Sequence, residues 1–176
     1  TLVDGLKYKS SDDSPTDADR VVDLTAMTDS GAASVDPATT STIDVELLND
    51  APGGGAATLT NIAEDATDPA GDEVNDILSS TPTDADAGSD INGVLICAYT
   101  EDTDKGTWQY NDGSWNDIDT RSDTSNCLGV EDDDDLRFVP TANYNGAATT
   151  LNLIAVDNTQ AIASGTATYD ASTRGG

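Results

Sequence analysis

Two segments far apart in the chain carry nearly the same phrase: Val22-Asp23-Leu24-Thr25-Ala26-Met27-Thr28-Asp29 and Leu151-Asn152-Leu153-Ile154-Ala155-Val156-Asp157. In the first, Val22, Leu24 and Ala26 face one way while Asp23 and Thr25 face the other, the period of a half-buried antiparallel strand. Between the two, Leu47-Leu48-Asn49-Asp50-Ala51-Pro52 reads as the end of one β-module and the hinge into the next. A β-phrase that recurs this way confines the chain to a tandem arrangement, the back half of one module followed by nearly all of another. Arrays of β-modules hold surfaces apart or together and seldom do chemistry.

Strand-like runs rich in β-branched residues, broken by Gly, Asp, Asn and Pro, recur throughout. Leu6–Lys9, Arg20–Met27 and Thr42–Leu48 form a first group. Three strands cannot enclose a core, so that group is incomplete by itself. After the joint Pro52-Gly53-Gly54-Gly55, strands are expected at Ala57–Ala63, Glu73–Leu78, Gly93–Tyr99, Gly106–Tyr110, Ser114–Ile118, Ser125–Val130, Asp135–Val139, Thr149–Val156 and Ile162–Tyr169. Asn111-Asp112-Gly113 is a hairpin turn, because glycine accepts the positive φ such turns require. Many short strands with no helical period of useful length predict an all-β sandwich. The expected division is a partial module over 1–50, a linker over 51–56 and a nearly complete module over 57–176. Trp108, Tyr110, Trp115, Phe138 and Tyr144 are the expected core and rim aromatics, with an aromatic platform for glycans as the alternative.

Charge narrows the choice of partners. Thirty-four acidic residues against seven basic ones give a net charge of −27, with no histidine. Nucleic acid and anionic membranes carry the same sign and are repelled. The acids are spread along the whole chain, so the molecule repels itself unless a salty medium or bound divalent cations neutralise it. The alternation of apolar and polar residues argues against disorder in spite of that charge. The run Glu131–Asp135 reads as an exposed charged loop. No apolar run is long enough to span a bilayer. The chain opens on Thr1 without a signal peptide and reads as processed or as a piece of something longer.

Cys97 and Cys127 each fall in an expected strand of the same module. In an extracellular protein a disulfide between them is favoured over two buried thiols, and it would add on the order of 3 kcal/mol in the chain-entropy picture. Without histidine neither cysteine has the base that activates a nucleophilic thiol. Most acid–base arrangements are likewise missing, and among thirty-four acids some carboxylate pair is inevitable and carries no information. No glycine-rich loop opens a helix to cradle phosphate. The expectation is a non-enzymatic protein.

Several phrases resemble the cadherin-like repeats of large bacterial extracellular adhesins. Gly106-Thr107-Trp108-Gln109-Tyr110 followed by Gly113-Ser114-Trp115 is similar to a signature hairpin of those repeats, as is Leu136-Arg137-Phe138-Val139-Pro140 leading to Asn143-Tyr144-Asn145-Gly146. Gly5-Leu6-Lys7-Tyr8, Ser14-Pro15-Thr16 and Asp19-Arg20-Val21-Val22 resemble the latter part of the same unit. Thr83-Asp84-Ala85-Asp86-Ala87-Gly88 with Asn92-Gly93 resembles the D-A-D-x-G…N-G stretch of cadherins, although Ser89, Asp90 and Ile91 lengthen the spacing. Ala155-Val156-Asp157 resembles the closing A-x-D, and Asn49-Asp50-Ala51-Pro52 a shortened interdomain linker.

The resemblance implies a Greek-key (cadherin- or immunoglobulin-like) sandwich and Ca²⁺ bound where modules meet. Asn49, Asp50, Asp84, Asp86 and Asp157 are the ligands it implies, an all-oxygen set of the kind Ca²⁺ takes. Asp17 and Asp19 are weak substitutes for upstream glutamates, and Glu64 matches an acidic residue facing a following junction. The function expected is an adhesion or spacer module at the bacterial surface or in the extracellular medium, touching neighbouring repeats. Two alternatives stay open: a filament subunit exchanging strands with other copies of itself, and a module that reads glycans on a cell surface.

Overall fold

The computed structural model describes residues 9–11, 18–28, 30–31, 33–36, 39–46, 48–53, 57–78, 82–86 and 90–172. The chain divides into two units, Thr1–Leu48 and Asn49–Gly176. In the first, β1 (Arg20–Leu24) pairs antiparallel with β4 (Thr39–Ile43), setting Val22 opposite Ser41, while β2 (Met27–Thr28) pairs with β3 (Ser34–Val35). The expected strand over Arg20–Met27 is thus broken at Thr25-Ala26, and the expected Thr42–Leu48 strand lies earlier, at Thr39–Ile43. Of the expected inward face, Leu24 is half-buried, whereas Ala26 is exposed and Val22 is 44% exposed, against 64% for Val21 on the opposite face. Of the expected strand at Leu6–Lys9, only Lys9 falls among the described residues.

The second unit is a sandwich of two antiparallel sheets. One has the order β5-β10-β7-β8, from Asp72–Glu73, Asp135–Pro140, Gly106–Asn111 and Trp115–Asp117. The other has the order β11-β6-β9, from Asn152–Asp157, Ile91–Cys97 and Leu128–Glu131. Strand β7 shows how sequence dictates this layering: Trp108 and Tyr110 are buried while the alternating Thr107, Gln109 and Asn111 are only half-buried. In register, Phe138 of β10 lies opposite Trp108, with ring centroids 5.3 Å apart. Val94 and Ile96 of β6 and Val130 of β9 meet these rings from the facing sheet.

Strand β6 is central and buried on both faces. Val94 and Ile96 enter the main core, whereas Leu95 and Cys97 enter a second cluster with Cys127, Val156, Ile162 and Ala171. Removing a side chain such as Leu95 from water is worth about 1.5–3 kcal/mol, so β6 anchors both layers. The expected disulfide is formed: Cys97 and Cys127 are bonded, with Cα atoms 4.7 Å apart and both residues buried.

Several expectations are corrected. Only Asp72–Glu73 is strand in the Glu73–Leu78 region, and Val74–Leu78 is a short helix, α1. Val74, Ile77 and Leu78 share its buried face, at the i, i+3, i+4 spacing of a helix. Ala57–Ala63 joins no strand ladder, and neither does Ile162–Tyr169 apart from a single bridge from Tyr169 to Cys127. The Glu131–Asp135 loop is not simply exposed; of its residues only Asp133 is exposed, and the turn's Asp132 and Asp134 carbonyls accept the N–H groups of Asn75 and Val74.

Candidate functional site

The second unit opens with Asn49–Gly53, and two loops distant in sequence grip this segment. The first is the turn at Asp84–Asp86. Asp84 Oδ1 accepts the Asp86 N–H at 2.8 Å, a side-chain-to-backbone turn that fixes the local conformation. Asp86 Oδ2 in turn accepts the Asp50 N–H at 2.7 Å, and the Gly53 N–H donates to the Thr83 carbonyl at 2.6 Å. The second is the loop that leaves β11. A register shift between Val156 and Asp157 ends that strand and turns the Asp157 carboxylate into the protein.

Asp157 is 3% exposed. Its Oδ1 accepts the Thr159 N–H and hydroxyl, and its Oδ2 accepts the Asn49 amide N–H at 2.9 Å. Burial pushes this carboxyl upward, but the bonds from Thr159, Asn49 and Gln160 outweigh it and hold the group below the usual carboxylate range. The loop beyond is tied down by Asn92, which donates to the Gln160 carbonyl at 3.0 Å.

All five residues read from the sequence therefore belong to one hydrogen-bonded chain: Asp84 to Asp86, Asp86 to Asp50, and the adjoining Asn49 to Asp157. Among the described residues, however, no group of three or more acidic or cysteine side chains converges as a metal site. The fit to Ca²⁺ rests on the donor set and on one atom. Asp84 Oδ2 is buried and has no hydrogen-bond partner, an orphaned acceptor of the type a cation satisfies. Asp84, Asp86 and Asp50, with the Asn49 amide oxygen, are the residues that would hold the ion, and Asp157 would orient Asn49. Asp17 lies outside the described residues, whereas Asp19 and Glu64 are exposed.

Sequence reasoning missed Thr159 and Thr83, which hold the two loops. The Asp-x-Thr spacing at Asp157–Thr159 was the available signal, since such side chains bond backbone N–H groups two residues on.

The aromatics divide differently. Trp108 is buried, its indole N–H donating to the Thr149 carbonyl at 2.8 Å. Trp115 carries the Arg137 guanidinium 3.8 Å from its ring centroid. Arg137 is itself buried, donating to Gln109 Oε1, Asp68 Oδ1 and the Pro69 carbonyl. An open cleft of about 930 Å³ lies beside them, between the Leu59–Asp72 segment and the Tyr144–Ala148 loop. No protein-family model, no curated protein and no solved structure matches this chain.

Proposed function

We propose that the chain is a non-enzymatic structural or adhesion module of a repetitive extracellular surface protein, with Ca²⁺ held at the entry to its second unit. The observation that carries this reading is the grip on Asn49-Asp50. Loops 36 and 108 residues away both direct carboxylates to the two residues that follow the first unit, and Asp84 Oδ2 remains without a donor. A cation there would fasten the start of the second unit where glycines follow in sequence. The buried disulfide supports a compartment outside the reducing cytosol. Among the described residues no helix is long and apolar enough to cross a membrane. The glycan reading has less support, because Trp108 is internal and one face of Trp115 is occupied by Arg137.

Calorimetric titration at fixed ionic strength tests the proposal. Ca²⁺ is expected to bind with a dissociation constant of about 10⁻⁴ to 10⁻³ M, the range of extracellular modules, and to raise the melting temperature. Asp84→Asn with Asp86→Asn is expected to abolish both effects. Absence of binding heat in the unaltered chain, or an equal shift with Mg²⁺, would overturn the calcium assignment.

A further inference from the structure

Three of the four sheet edges in the second unit are covered or blunted. Strand β9 is covered: the Gly129 N–H donates to the Thr166 carbonyl, and Cys127 and Tyr169 exchange N–H and carbonyl bonds. Strand β5 has two residues, and β8 has three with Asp117 at its end. Short or charged edges do not invite another strand. Strand β11 differs. Its six residues contain no proline and no charge before Asp157, its register shifts only at the last step, and among the described residues its one ladder partner is β6.

The ladder also fixes where the β11 backbone groups point. Because Cys127 and Gly129 bond outward, Leu128 and Val130 are the β9 residues that bond to Ile96 and Val94. Leu95 and Cys97 are then left to bond to Ile154 and Asn152 on the other side of β6. Leu153 and Ala155 therefore turn their N–H and C=O groups away from the sheet, and no described residue bonds to them. Both residues line a cleft of about 730 Å³ beside Ala57, Leu59 and Leu78, and none of the described residues around it is charged. In a chain of net charge −27 such a neutral surface is exceptional. Leu151, Leu153, Ile154 and Ala155 are only half-buried there, whereas Val94, Leu95 and Ile96 of the neighbouring strand are buried.

The first unit has the complementary deficiency. Among its described residues none is buried, and β4 has β1 as its one ladder partner. A two-stranded sheet is marginal in water. Strand β4 reads Thr39-Thr40-Ser41-Thr42-Ile43, uncharged and β-branched at four of its five positions, a composition suited to a ladder.

We propose that β4 of one copy of this chain adds to the bare edge of β11 in another. The product is a sheet of order β1-β4-β11-β6-β9 shared by two chains, built by main-chain bonds as in other strand additions. A second copy is the fitting occupant because strongly acidic chains repel one another except where both surfaces are neutral, and these two strands are. Donor and acceptor lie on different units, so the contact is heterologous and repeats head to tail into an open oligomer. It uses none of the residues assigned to Ca²⁺, so either reading can fail without the other.

The test is run on the full chain with a chelator and in about 1 M sodium chloride, where charge repulsion reaches only about 3 Å. Sedimentation velocity is expected to show species that grow with protein concentration. Ala155→Pro removes an N–H outside the β6 ladder and blocks strand addition, while Thr42→Asp places a carboxylate on the donor. Each variant alone is expected to remain monomeric, and Ser114→Asp, the control for added charge, to associate like the unaltered chain. An equal mixture of Ala155→Pro and Thr42→Asp is expected to give a dimer and nothing larger, since one keeps the donor and the other the acceptor. Amide exchange in the unaltered chain reads the edge whatever the stability of the variants. The Leu153 and Ala155 amides are expected to exchange about tenfold or more slowly once the protein associates, with Ile154 protected throughout. An unaltered chain that stays monomeric, a Thr42→Asp chain that still associates, a mixture without dimer, or a Ser114→Asp chain that fails to associate would each overturn the proposal. So would protection of Leu153 and Ala155 already in dilute monomer, which would mean that the edge is covered within one chain.

Discussion

Gly93 lies inside β6 with φ of +141°, and a Cβ built on it would stand 2.3 Å from the Val130 carbonyl oxygen and 2.9 Å from Glu131 Cα. These two obstacles are backbone of the paired strand β9 and cannot swing aside; a third, Ile162 Cδ1 at 2.5 Å, is a side-chain end that can. Gly113 offers the contrast: its φ is +103°, but nothing lies within 4 Å of its Cβ position. Gly113→Ala is therefore expected to cost about 1–2 kcal/mol, the strain of a side chain at positive φ alone. Gly93→Ala adds collision to strain and is expected to cost more than about 3 kcal/mol. Urea denaturation of both variants checks the difference, and equal losses would contradict the packing argument. Only one of these glycines was legible beforehand. Gly113 sits in Asn111-Asp112-Gly113, whose local chemistry announces a turn, with the Asn111 side chain accepting the Gly113 N–H. The demand on Gly93 comes from a strand some forty residues later in the chain, and no neighbour in sequence betrays it.

Strand β11 is where an element's end becomes a fixture for another segment. Asp157 closes the strand, bends the following loop through Thr159 and retains Asn49. Its carboxyl is held below the usual range, so its ionised form stabilises the fold above the ordinary carboxylate pKa, and that contribution is lost as pH falls through the depressed value. Asp157→Ala strands the Asn49 amide and the Thr159 N–H and is expected to cost about 2 kcal/mol at pH 7. In acid below the depressed value the gap between the variant and the unaltered chain is expected to narrow. Melting curves across pH check both, and a gap that widens in acid would contradict the assignment. At this scale strand β7 was readable because its residues alternate between buried and half-buried. Helix α1 was not, since Glu73–Leu78 is too short for its i, i+3, i+4 spacing to be told from a strand. Ala57–Ala63 has the composition of a strand, but Thr60 spends its N–H and hydroxyl on Asp72, and no ladder partner adjoins the segment. The meeting of Asn49-Asp50 with Asp84, Asp86 and Asp157 was suggested by family resemblance, because each carboxylate taken singly is an ordinary turn residue.

For the molecule as a whole the governing quantity is the −27 net charge, with seven cations to offset thirty-four acids. One of those cations, Arg137, is buried and committed to Asp68, Gln109 and Pro69, which leaves fewer still to neutralise the surface. Like charges spaced over a surface interact through water, and the reach of that repulsion is set by salt: about 30 Å at 0.01 M and about 3 Å at 1 M. The melting temperature is therefore expected to climb as sodium chloride rises across that range and to level off once the screening length falls below the spacing of the acids. Calcium at a few millimolar changes ionic strength little, so a shift it causes on top of that plateau belongs to direct coordination rather than to screening. The Asp84→Asn, Asp86→Asn variant separates the two effects within one experiment: it keeps nearly all of the negative charge, so it should follow the sodium chloride curve of the unaltered chain while losing the calcium increment. A melting temperature indifferent to sodium chloride would show that the acids lie too far apart to repel effectively. In that case the need for neutralisation would cease to favour bound cations, and the calcium reading would stand on Asp84 Oδ2 and its neighbours alone.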